Sequence, residues 1–107
     1  MNFIELKNIE QIEPLNGFKV RFVHSEKMTL AFWEITANSI LPEHSHVHEQ
    51  VSMVTKGEFE LTIEGETKIL KPGMVAIIPS NARHSAKAIT DCEVTDAFYP
   101  IREDYKK

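Results

Sequence analysis

The sequence predicts an all-β protein, an antiparallel sandwich or barrel of roughly eight or more short strands. Three observations carry that expectation. Turn signals recur at short intervals from Asn16-Gly17 onward, the stretches between them are rich in Val, Ile, Phe and Thr, and residues Glu58 to Glu64 alternate between polar and apolar side chains.

Taken in order, residues 1–27 read as N-terminal strands or an arm, with Ile4 to Ile12 as a short helix or an extra edge strand, and residues 28–100 as the barrel of a single domain spanning 1–107. Met28 to Ile35 is the first barrel strand, and turn signals at Asn38-Ser39 and Leu41-Pro42 come after it. Trp33, beside Phe32 and Ile35, suits a core or a dimer interface better than ligand stacking. Val51 to Thr55 forms a strand that stops at Lys56-Gly57. In the next segment Phe59, Leu61 and Ile63 take one face and Glu58, Glu60, Thr62 and Glu64 the other, so one side stays wet. Glu64-Gly65-Glu66 then turns the chain into Thr67 to Leu70, with Gly65 at positive φ. Met74 to Ile78 and Glu93 to Phe98 complete the set, bounded by Lys71-Pro72-Gly73 and Pro79-Ser80-Asn81. His24 is isolated and expected at the surface, and Cys92 is expected as a small buried hydrophobe.

With 42% hydrophobic and 26% charged residues, the 107-residue chain is neither disordered nor coiled-coil in class. Its net charge of −4, mixed along the length, offers no basic stripe for nucleic acid. A single cysteine excludes an internal disulfide, no apolar run is long enough to cross a bilayer, and Met1 to Glu5 lacks the features of a signal peptide. The expected location is the cytoplasm.

Four of the five histidines fall at two places, His44, His46 and His48 in one short stretch and His84 about forty positions on. On an extended strand His44, His46 and Gln50 share a face, and His84 arrives from a partner strand. An isolated His-x-His-x-His run is as readily a solvated polar loop. Here Val51, Met53 and Val54 come next, which draws the segment into the core. Burying three imidazoles and an amide without partners costs several kcal/mol, and one divalent transition metal ion satisfies all of them. Imidazole and oxygen donors suit Zn, Ni, Fe, Mn or Co alike.

These residues resemble the cupin superfamily. His44-Ser45-His46, Gln50 and Gly57 match its first motif, H-x-H-x3-E-x6-G, and Gly73 through Pro79, Asn81 and His84 its second, G-x5-P-x-G-x2-H. The resemblance implies a double-stranded antiparallel β-helix, or jelly-roll barrel, with metal ligands His44, His46, Gln50 and His84. His48 has the same strand parity and is the alternative ligand to Gln50, but its spacing does not match the family's, so it is expected behind the ligands or at the surface. Asn38 and Asn81 replace family glycines, which the tolerance of Asn for left-handed backbone accommodates, and Ala88 replaces an asparagine. Gln50 replaces the usual glutamate, so no carboxylate offsets the ion's charge and an anionic ligand such as a sugar acid is expected.

On the last strand Val94 and Phe98 are most simply buried, which carries Asp96 inward between them; the reverse facing would bury Thr95, Ala97 and Tyr99 instead. Arg102, after Pro100, is near enough to close over the barrel mouth. His84, Ala86 and Ala88 share a face, and the two alanines leave room for a ligand. The run from His44 to Tyr105, above all Asp96-Ala97-Phe98-Tyr99-Pro100-Ile101-Arg102, resembles the small pectin-degradation cupins, which convert the ring form of 4,5-unsaturated galacturonate to linear 4-deoxy-L-threo-5-hexosulose uronate. That resemblance implies Asp96, Phe98 and Arg102 as catalytic residues, an anionic uronate substrate and a homodimer. An oxygen-dependent dioxygenase and a non-catalytic sugar- or metal-binding cupin are the competing functions, since this barrel serves many chemistries.

Overall fold

Turn chemistry cuts the chain into ten strands: β1 (Ile12–Leu15), β2 (Phe18–His24), β3 (Thr29–Ile35), β4 (Ile40–His44), β5 (Glu49–Lys56), β6 (Phe59–Ile63), β7 (Glu66–Leu70), β8 (Val75–Ile78), β9 (His84–Ala88) and β10 (Cys92–Tyr99). The computed structural model describes residues 2–106; none of them forms an α-helix, and no helix is long and apolar enough to cross a membrane. Six strands pair in the order β1-β2-β3-β10-β5-β8 and four in the order β4-β9-β6-β7, all antiparallel. This is the jelly-roll barrel that the motifs imply.

Period-2 burial sets the core between the two sheets. In β10 the residues Cys92, Val94, Asp96 and Phe98 are buried while their neighbours are not. Phe18, Ile35, Val54, Phe59, Leu61, Leu70, Ile78 and Val94 fill one end with Ala86 and Ala88, and Val20, Ala31 and Phe98 form a smaller cluster. Cys92 is buried as expected, and burial pushes its thiol up.

Of the two readings of the N-terminal region, strands hold for residues 12–24: β2 pairs along its whole length with β3, and β1 lies beside β2 at the sheet edge, so both are part of the six-stranded sheet. A 3-10 turn at Leu6–Asn8 precedes them, held where the Arg21 guanidinium donates to the Ile9 carbonyl at 3.0 Å. The β6–β7 loop is two residues, one shorter than the sequence suggested: Ile63 pairs with Glu66, and Glu64 (φ 47°) and Gly65 (φ 82°) both take the positive φ of a type I′ turn. Asn38 (φ 71°) and Asn81 (φ 66°) adopt the left-handed backbone expected of them. Gly57 (φ 86°) has a second constraint, since a side chain there would run into the Asp91 carbonyl.

His24 departs from expectation. It is half-buried, with Nδ1 2.8 Å from the Thr29 hydroxyl, and burial lowers its pKa. Thr29 is fully buried and also accepts the Arg102 backbone N–H at 2.9 Å, which ties the segment after β10 across the barrel mouth. Tyr105 anchors the far end, its ring stacked 4.3 Å from that of Phe22.

Candidate metal centre and active site

The three motif histidines converge, but not by the route that strand parity suggested. β4 ends at His44, Ser45 to His48 cross between the sheets, and β5 begins at Glu49, so His44 and Gln50 belong to different sheets. Two devices replace the common face. In β4 the register slips between Leu41, opposite Ala86, and His44, opposite His84; the extra residue lets Leu41 and His44, three apart, both face the cavity. The crossing segment is fixed by the second motif's turn, where the Asn81 N–H donates to the His46 carbonyl at 2.8 Å and the Ser80 hydroxyl to that of Val47 at 2.5 Å.

Each imidazole is oriented the same way. Nδ1 of His44, His46 and His84 faces the carbonyl of Pro42, His48 and Ala82 at 3.0, 2.9 and 2.9 Å. A carbonyl only accepts, so each Nδ1 carries a proton, and in the neutral ring that leaves Nε2 as the free lone pair. Ligand nitrogens of the three rings lie within 4.8 Å of one another, close enough to hold one metal ion together. Gln50 Oε1 stands 3.1 Å from His46 Nε2. Burial holds His46 down to about 4, aided by the Arg102 charge, and lowers His84 as well, so both rings are neutral at neutral pH, the form that binds metal.

The residues fit a cation on their own chemistry. His84 Nε2 is buried with no hydrogen-bond partner, and His46 Nε2 faces another acceptor, the Gln50 oxygen. A divalent ion relieves both at once. His48 is not among the three histidines whose ligand nitrogens converge, although its ring lies 5.6 Å from that of His46.

Asp96 is buried and faces inward, as its apolar neighbours implied. It accepts the Ser52 hydroxyl at 2.6 Å, and Ser52 in turn accepts the Gln50 amide at 3.0 Å. Burial raises the Asp96 carboxyl to about 6, opposed by these hydrogen bonds and by the Arg102 charge. The Trp33 indole N–H approaches Asp96 and eases that shift without closing a hydrogen bond; Nε1 is buried and unpaired, and the ring stands edge-on to Phe18 and Phe22. Trp33 is thus core, as expected, and cavity wall as well.

Phe98 stands edge-on to His46, with ring centres 5.7 Å apart. The Arg102 guanidinium lies over the rings of Phe98 (4.7 Å) and Tyr105 (4.0 Å), only 8% exposed. Its Nε and Nη2 donate to Asp104 at 2.9 and 2.7 Å, which leaves the Nη1 side for another anion. The cavity between these groups measures about 150 Å³, with Ala86, Leu61 and Val94 lining its apolar end. Ser52, Thr29 and Tyr105 were missed by sequence reading, and Trp33 was read for the core or a dimer interface but not for the cavity wall. An inward serine two residues after Gln50 was visible from parity, whereas the partners of Thr29 and Tyr105 lie far away along the chain.

A family model described as a cupin domain matches residues 31–98. Over 93 residues, 84% of both chains, the sequence is 31% identical to pectin degradation protein KdgF of Dickeya dadantii (strain 3937). Among solved structures, KdgF from a Halomonas species superposes with a TM-score of 0.90 at 26% identity over 97% of each chain. An RmlC-like cupin from Shewanella frigidimarina NCIMB 400 gives 0.92 at 26% identity, covering 98% of this chain and 96% of the other.

Proposed function

Because this chain belongs to the cupin family, and on the strength of its likeness to pectin degradation protein KdgF, we propose that it is a metal-dependent isomerase that opens 4,5-unsaturated galacturonate to the linear keto-deoxyuronate during polyuronate breakdown. One observation carries the reading: a single cavity brings together three imidazoles with bare Nε2 atoms, a buried Asp96 joined to them through Gln50 and Ser52, and the Arg102 guanidinium.

His44, His46, Gln50 and His84 would hold the ion, which supplies Lewis acidity and an uncompensated positive charge for the substrate carboxylate. The Arg102 Nη1 side grips that carboxylate from across the cavity while Asp104 fixes the other edge of the fork. Phe98 presents a flat wall to the sugar ring. Asp96 takes the proton of the anomeric hydroxyl; as C1=O forms, the C1–O5 bond breaks and its electron pair passes to the ring oxygen. The resulting enol collapses to the 5-ketone when a proton is delivered to C4, and a carboxyl near 6 can both accept and return one at neutral pH. The reaction is an isomerisation and consumes no co-reactant. We place it in the cytoplasm, where an unpaired thiol such as Cys92 stays reduced.

The test is to record loss of the substrate's conjugated-ene absorbance above the spontaneous rate. Acceleration that chelator abolishes and divalent metal restores is the expected result. Oxygen uptake without ring opening would favour a dioxygenase, and neither would favour a binding module.

For assembly we propose a homodimer through the outer face of the six-stranded sheet. Val23, Leu30, Ala97, Val51 and Ile77 stand in register across five strands of that face, an apolar row with Val75 and Met53 exposed beside it. Sedimentation is expected to give twice the 12.3 kDa chain mass, and Ile77→Lys a folded monomer. A wild-type monomer at micromolar concentration contradicts it.

A further inference from the structure

Ser52 is the one polar residue between Gln50 and Asp96 for which the proposed chemistry has no use. It is 2% exposed and stands opposite Asp96 in the pairing of β5 with β10. The row His46 Nε2, Gln50, Ser52, Asp96 contains three close polar contacts, of 3.1, 3.0 and 2.6 Å. Only two protons serve them, one from the Gln50 amide and one from the Ser52 hydroxyl, because His46 commits its Nδ1–H to the His48 carbonyl. One contact must go without. An ionised Asp96 can only accept, so it takes the Ser52 proton; the Ser52 oxygen then takes the Gln50 N–H, and the contact left over lies between the Gln50 oxygen and the imidazoles, where a cation fills it.

We propose that Ser52 is a positioning residue that passes the acceptor character of Asp96 to Gln50 and so locks the carboxamide with its oxygen, not its NH2, toward the three imidazoles. The inference rests on the proposed metal site and deepens it. Without the Ser52 hydroxyl nothing holds the NH2 away from the bare His46 Nε2, which accepts from it, and half a turn about the last side-chain bond presents to the imidazoles an NH2 group that cannot ligate a cation.

The experiment titrates metal-free protein with Co2+ and reads its visible absorption. Ser52→Ala is expected to bind Co2+ about 10- to 100-fold more weakly, with the spectrum of Gln50→Ala. Ser52→Thr, which keeps the hydroxyl, should stay close to wild type, and the Ser52→Ala/Gln50→Ala double variant should bind no more weakly than Gln50→Ala alone. Wild-type affinity in Ser52→Ala, a folded Ser52→Thr as weak as Ser52→Ala, or losses that simply add would each overturn the role of Ser52 and leave the metal site standing. A wild-type protein that takes up no Co2+ sinks the metal site itself and this inference with it. Zn2+-loaded wild type gives a check that needs no variant to fold: one Gln50 side-chain amide proton should exchange slowly and lie close to the Ser52 β-protons by NMR, and two rapidly exchanging protons would contradict the lock.

Discussion

Asp96→Asn is expected to lower turnover of unsaturated galacturonate by about 10²- to 10⁴-fold, the range that general acid–base catalysis supplies, while metal affinity stays near wild type. The two halves of that expectation have different causes. Asparagine cannot take a proton, so the anomeric hydroxyl loses its base. Its side-chain oxygen still accepts from Ser52, so the hydrogen bonds that run at 2.6 and 3.0 Å to Gln50 survive. Asp96→Ala removes both functions and should lose metal affinity as well as turnover. Steady-state kinetics with a parallel metal titration separates the variants, and an Asp96→Asn enzyme that turns over normally would remove Asp96 from the chemistry.

His84→Ala is expected to erase the stabilisation that metal gives the protein. An ion that binds only the folded state adds about 2.7 kcal/mol at one hundred times its dissociation constant, which for a domain of this size raises Tm on the order of 10–20 °C. The wild type should show that rise with Zn2+ and the variant should not. In the metal-free state the ordering can invert, because His84 is buried with an unpaired Nε2 whose desolvation cost the substitution removes, set against the small cavity it leaves. Calorimetry with and without Zn2+ reads both effects, and an equal rise in the two proteins would deny His84 a place among the ligands.

The pattern of apolar and polar residues made the strands legible wherever one face is wet. The alternation of Phe59, Leu61 and Ile63 placed β6, and the apolar neighbours of Asp96 placed it inward. The clustered histidines and the inward Asp96 were legible for a different reason: polar groups with ligand chemistry stood beside apolar runs that pull them under, whereas roles for Phe98 and Arg102 came only with the family resemblance. Parity failed at His46. A strand rule assumes that the strand continues, and the chain instead leaves one sheet for the other between His44 and Glu49. That crossing depends on Asn81 and Ser80, more than thirty residues on, which hold it by its carbonyls. Residues 1–27 stayed open between strands and an arm, because nothing local says that β2 will pair with β3 and join the barrel sheet. Arg102 was placed near the mouth correctly, but its pairing with Asp104, two residues away, was available from the sequence and went unread.

Equilibrium titration of the metal-free protein with a divalent transition metal tests the central claim most directly. One ion per chain is expected at saturation, with affinity lost when any of His44, His46 or His84 becomes alanine and reduced when Gln50 does. Binding that is absent under every metal supplied, or indifferent to His84 and Gln50, would contradict the convergence of these side chains on a single ion.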